Sequence, residues 1–203
     1  MQRVTKVSQP AVSTRRRDDH AMPTTRLRPV EHPTPEVLEL YDRGGLRSPD
    51  GSTLNIFATL ANHPALLKRW LVFATHVLTK STLPARDREL AILRVGVRCD
   101  SRYEFAQHYV IAQACDITTD EIERVKRGPD DGGWSAFDAA LLRAVDELHD
   151  SSRLGDVTWS TLSQRYTNEQ MLDLIFTIGN YHLVSFSLNS CDVAIDDGVA
   201  DTL

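Results

Sequence analysis

Residues 86–108, RDRELAILRVGVRCDSRYEFAQH, read as the end of one amphipathic helix, a tight reversal at Cys99-Asp100 and the start of a second helix. Glu89 lies on the first arm, and Glu104 and His108 lie on the second, four residues apart and therefore on one helical face. At ~1.5 Å of rise per residue, Glu89 sits about 16 Å and His108 about 13 Å from the turn. With axes roughly 8–10 Å apart, the two side chains meet in the cleft between the arms, and Glu104 points into the same space one turn lower. Two carboxylates and an imidazole in one crevice are the parts of a proton-transfer site. Structural roles compete for each acid. Arg86, Arg88 and Arg94 flank Glu89 and offer it a plain salt bridge. Ser101-x-x-Glu104 has the form of a capping box, in which Glu104 stabilises its own helix by about 1 kcal/mol. A cap gives no part to the imidazole at 108. A Ser101–His108 nucleophile pair is excluded, because two helical turns separate them by about 10 Å.

The rest of the chain is helical by the same signals. Pro35 suits a first helical turn, with Val37, Leu38 and Tyr41 on one face and Gly44-Gly45 as a stop. A short helix follows over 54–60, and Pro64 opens a longer one to about Thr79. Pro84 opens the helix 85–98, and its partner arm runs over 102–115. Thr118 with Glu121, and Thr167 with Gln170, have capping-box spacing, for a helix ending at Gly128 and for a last helix reaching about Asn189. Between them, Ser135 begins a helix striped with Phe137, Leu141, Val145 and Leu148, and a shorter one runs from Asp156 or Thr158 to Tyr166. No stretch alternates as a strand does, so the architecture is all-α.

Among the histidines outside the hairpin, His76 reads as a core or rim residue and His149 as a cation near a helix C-terminus. His182 reads either as a pocket residue or as a hydrogen-bonding group within the bundle. Residues 1–30 carry seven basic side chains and no apolar run, which makes them a disordered basic tail rather than a signal peptide; Met22 offers an alternative start. Residues 31–203 form one all-α domain. A net charge of −5 argues against general nucleic-acid binding. No apolar run approaches the roughly 20 residues that span a bilayer, the longest being broken by Gly179, Asn180 and His182. Cys99, Cys115 and Cys191 have neither disulfide nor metal-ligand spacing, which points to a reducing, cytoplasmic setting.

The phrases LNIFATLANHP, STLPARDRELAILRV, YEFAQH, WSAFDAALLRAVDELHD and FTIGNYHLVSFSLN, in this order, resemble the carboxymuconolactone decarboxylase family, which shares its fold with alkylhydroperoxidase D. The resemblance covers most of residues 34–195. It implies an alkylhydroperoxidase D-like helical bundle built on an antiparallel hairpin, assembled as a trimer or hexamer with active sites near subunit boundaries. The peroxidase branch relays protons through a glutamate, a Cys-x-x-Cys pair and a histidine. Glu89 and His108 match the glutamate and the histidine, but Ser101 and Glu104 occupy the cysteine positions. Cys99 lies two positions off the motif and has no resolving partner. The departure removes the thiolate that peroxide reduction needs and leaves acid–base chemistry.

The implied function is a lyase that works without metal or organic cofactor on a small carboxylated, lactone-type substrate. His108 is then the proton shuttle, Glu89 orients and tunes it, and Glu104 is a second acid or base. Arg94 or Arg98 would anchor a substrate carboxylate, and Ser101 and His182 would contact substrate. The alternatives are a peroxidase working through Cys99 alone and a non-catalytic oligomeric member of the fold. The partners expected are a small molecule and further copies of the chain, with no nucleic acid and no membrane.

Overall fold

Pro, Gly and Ser/Thr punctuation divides the chain into helices at nearly the places where the backbone makes its breaks. A computed structural model describes residues 25–203, and there it forms nine α-helices: α1 (Pro35–Gly44), α2 (Asn55–Leu60), α3 (Pro64–Thr75), α4 (Ala85–Arg98), α5 (Arg102–Ala114), α6 (Thr119–Arg127), α7 (Ala136–Ser151), α8 (Asp156–Leu162) and α9 (Asn168–Cys191). Among the described residues the β-type pairing is a single isolated bridge, Arg47 to Thr53. The fold of the described residues is all-α.

Of the expected basic tail, residues 1–24 and the alternative start at Met22 lie outside the described residues. Residues 26–30 lie against the bundle: the amides of Arg26 and Leu27 donate to the Cys191 carbonyl, and the Val30 amide to Ala58.

The bundle is built around α4. Leu90, Ala91, Ile92, Leu93 and Val95 are all fully buried, so this helix is enclosed on every side, and the charges it carries inward, Asp87, Glu89 and Arg94, need partners within the bundle. It packs against α5, α6, α7 and α9, and burying each such Leu or Ile contributes about 1.5–3 kcal/mol relative to exposure. The reversal into α5 uses Asp100 at a φ of 47°, a left-handed conformation that aspartate tolerates, and the Ser101 amide closes it onto the Gly96 carbonyl at 2.9 Å. Gly96 marks the closest approach of the two arms. A Cβ there would stand 3.3–3.4 Å from the backbone and Cβ of Phe105, so hydrogen is the side chain that lets α4 and α5 meet.

Two boundaries differ from the sequence reading. The helix opened by Pro64 ends in a π-turn, His76–Lys80, where the Thr79 hydroxyl donates back to the Thr75 carbonyl, a bond that competes with regular helical pairing. The helix expected to reach Tyr166 ends at Leu162, and Tyr166 instead turns inward to donate its hydroxyl to the buried Asp87 at 2.7 Å.

By length and composition α9 is apolar enough to cross a membrane, yet half of its most apolar window is buried in the bundle. Its expected capping box is formed: the Gln170 amide donates to Thr167 Oγ1 and the Thr167 amide to Gln170 Oε1. Thr167→Ala removes an acceptor from a helix end and is expected to cost about 1 kcal/mol, read from the urea midpoint. An unchanged midpoint would mean that the box adds nothing.

Candidate active site

Burial of α4 carries Glu89 into the interior, and the close hairpin brings α5 against it. The result is a linear relay. Glu89 is fully buried, and its Oε2 lies 2.6 Å from His108 Nδ1. On the other side of the ring, His108 Nε2 lies 3.1 Å from Glu104 Oε1. Arg88 donates its Nε–H to the second oxygen of Glu89 at 2.9 Å. The convergence of residues 89, 104 and 108 expected from helical geometry is present.

The electrostatics follow from this packing. Burial works to strip the proton from His108, but hydrogen bonds and charge from Glu104 and Glu89 outweigh it and push its pKa up to about 9. Burial also works to raise Glu89, but His108 and Arg88 overcome it and hold that carboxyl below its ordinary range. At neutral pH the ring therefore rests as an imidazolium against the Glu89 carboxylate. Tyr181 of α9 stands edge-on to the imidazole, with ring centroids 4.9 Å apart. Burial and the two glutamate charges keep its phenol protonated.

His108 and Glu104 face a cavity of about 540 Å³ walled by α2, α3, the π-turn, α5, α9 and the loop after α1. Phe57, Leu71, Leu78, Ile111 and Val184 make most of the wall apolar. Glu89 does not line it; the carboxylate sits behind the imidazole. Among the lining groups that the sequence reading missed, three bear on chemistry. Tyr181 is one. Asn180 is the second: it lines the cavity and accepts from Trp70 Nε1 at 3.1 Å through Oδ1, which leaves its amide nitrogen outside that bond. Arg47 is the third, and among the described residues lining the cavity it alone carries a permanent positive charge; Asp42 pairs with it at 3.0 Å. Asn180 lies one residue from Tyr181 on a helix whose polar interruptions were visible, so that signal existed. Arg47 lies in a loop and gave none.

Four expected substrate contacts fall elsewhere. Arg94 grips Asp146 through two bonds of 2.8 Å and donates to the Val125 and Lys126 carbonyls at the end of α6. A cation there offsets the helix dipole and ties α4 to α6 and α7. Arg98 pairs with Asp150 and Asp146 on the same side. Neither arginine faces the cavity, because that side of α4 packs against α7. Ser101 is fully buried, and its hydroxyl has no partner among the described residues. The capping box expected with Glu104 is not formed, since Glu104 turns to the imidazole instead. His182 donates to or accepts from His149 at 3.0 Å and bonds the Ile178 carbonyl, away from His108. His76 sits at the rim, bonded to Asp173.

Comparison with known proteins supports the same core. Residues 64–147 match the carboxymuconolactone decarboxylase family. Among solved structures, a peroxidase-related protein from Silicibacter sp. TM1040 superposes with a TM-score of 0.74 at 13% identity, over 88% of this chain and 94% of that one. The alkylhydroperoxidase AhpD core protein from Ralstonia eutropha JMP134 gives 0.66 at 17% identity, over 79% and 83%. The debrominase Bmp8, in complex with 2,3,4-tribromopyrrole, gives 0.65 at 12%, over 86% and 93%. At these identities the likeness is one of fold. Sequence comparison with curated proteins gives no match.

Proposed function

We propose that the protein, whose residues 64–147 match the carboxymuconolactone decarboxylase family, is a cofactor-independent acid–base lyase acting on a small carboxylated, lactone-type substrate. The observation that carries the reading is the imidazolium of His108, held between Glu89 and Glu104 with one edge open to a largely apolar cavity. In the decarboxylation of an enol-lactone, the bond to the carboxylate breaks and its electron pair passes through the conjugated carbons to the lactone oxygen. Carbon dioxide leaves, and the enolate takes a proton on carbon. His108 Nε2–H, shared with Glu104 at the cavity wall, is the proton donor. Glu89 holds the ring through Nδ1, and Glu104 returns a proton from solvent to Nε2 for the next turnover.

The amide nitrogen of Asn180 and the protonated phenol of Tyr181 stand on the same wall as candidate donors to the developing enolate oxygen. Arg47, in place of Arg94 or Arg98, is the group to pair with the substrate carboxylate at the mouth. Peroxide reduction by Cys99 draws no support from this arrangement. Cys99 does not line the cavity, and burial pushes its thiol up, away from the reactive thiolate. The deciding experiment is a mass-spectrometric screen of carboxylated lactones and β-keto acids for loss of carbon dioxide. Turnover of at least one by the wild-type chain supports the reading. Failure across both classes, with no small acid raising the melting temperature, would leave the non-catalytic alternative.

The same reading includes assembly from copies of this chain. Leu172, Phe176, Leu183 and Phe186 are each more than half exposed on α9 at spacings that alternate four and three around Gly179, whose outer side is open. That is the seam of a helix made for a helical partner, and a second α9 is self-complementary to it. Phe176→Glu places a charge in the seam and is expected to shift sedimentation to a smaller species. An unchanged profile would remove α9 from the interface.

A further inference from the structure

A second cluster of chemistry-bearing side chains lies outside the His108 cavity and has no part in the proton relay. Cys99 closes α4, His149 lies in the last turn of α7, and His182 lies in the second half of α9. Their ligand atoms all lie within 4.8 Å of one another. His149 Nδ1 and His182 Nε2 face each other at 3.0 Å. The opposite nitrogen of His182, Nδ1, is 2.8 Å from the Ile178 carbonyl, which can only accept. The Nδ1 proton is therefore fixed on that bond, and the Nε2 lone pair is directed into the cluster. Histidines that bind metals are oriented in this way, through a backbone acceptor on the far nitrogen. Without an ion the arrangement gains little, because His149 can supply only one proton to the facing pair of nitrogens.

We propose that Cys99, His149 and His182 form a binding site for a zinc-class divalent transition metal, with the fourth position left to solvent. Two imidazole nitrogens and one thiolate are a donor set suited to Zn²⁺. Bonds of about 2.0–2.1 Å to nitrogen and 2.3 Å to sulfur fit donors already this close, after small side-chain rotations. The nearest cation is engaged: Arg98 donates to Asp150 at 2.5 Å and lies 3.6 Å from Asp146. Cys99 and His182 are half-buried and His149 is more open, so an ion can enter from solvent. On binding, Cys99 gives its thiol proton to solvent and the thiolate becomes a ligand. Within the sequence the three residues are too far apart to form a recognisable ligand motif; only the packing of α4, α7 and α9 brings them together.

The site is tested with the tag-free full chain, stripped by chelator and titrated with Co²⁺. The expected result is one equivalent bound, with the d–d bands of a tetrahedral ion and a thiolate-to-cobalt charge-transfer band, both displaced by Zn²⁺. Cys99→Ser abolishes the charge-transfer band, and His149→Ala and His182→Ala each weaken binding by at least about 10-fold. Cys115→Ser and Cys191→Ser leave the spectrum unchanged, and far-UV circular dichroism confirms that each variant is folded. A wild-type chain without the bands, or bands that persist in Cys99→Ser, overturns the proposal.

Discussion

His108→Asn lowers turnover of the substrate found in the carbon dioxide screen by about 10²–10⁴-fold, the usual contribution of a positioned general acid or base. The loss falls on kcat, because the proton is transferred after substrate has bound. Glu89→Gln acts through the same ring and differs in a measurable way. It removes the charge that helps hold the proton on His108, so the limb of the pH–rate profile belonging to the imidazolium moves toward acid while the cavity keeps its lining. A variant that had merely loosened the bundle would not show that displacement. His108→Ala leaves space at the cavity wall, and added imidazole restores part of the rate. Full turnover in both His108→Asn and Glu89→Gln would end the assignment of the relay.

The second large effect is on stability. The folded-state pKa of His108 is about 9 against an ordinary 6.5, so the fold is the state that binds the proton more tightly. Stabilisation from this group is fully present below pH 6.5 and is lost as pH rises toward 9. Glu89 is shifted the other way: its contribution is present above the ordinary carboxylate pKa of 4.5 and is lost as pH falls below it. Both are in place between about pH 4.5 and 6.5. At about 1.4 kcal/mol per pKa unit, the imidazole contributes about 3 kcal/mol. For a chain of this size that is a fall in Tm of about 6–12 °C between pH 6.5 and 9.5, followed by calorimetry. In His108→Gln the alkaline slope should flatten. A wild-type Tm that is level across this range, or an equal slope in the variant, would show that the ring is not held as an imidazolium.

Much of the bundle was legible in the sequence because its signals are local. Proline openings at 35 and 64, the capping boxes at 118 and 167 and the reversal at 99–100 each act within one helical turn. The relay was legible for the same reason: two helices and a tight turn fix three residues by rise and rotation alone. What the sequence concealed depends on which face of a helix meets which neighbour. Arg94 and Arg98 occur one turn from each other on α4, and Asp146 and Asp150 one turn apart on α7; only the packing of these helices shows that the charges serve each other rather than a substrate. Ser101-x-x-Glu104 met the rule for a capping box, yet a buried carboxylate does better against a cationic ring than against one amide. The facing pair of His149 and His182 had no sequence signal, since 33 positions separate them.

The family segment, 64–147, contains all three members of the relay, but the chamber they serve is finished by residues on either side of it: Arg47 and Phe57 before, Asn180, Tyr181 and Val184 after. On the proposed reading, the proton relay lies wholly inside that segment, while the chamber wall is shared between the segment and its flanks. If the relay works as proposed, a change in the flanks alters which molecule the chamber admits and leaves residues 89, 104 and 108 in place.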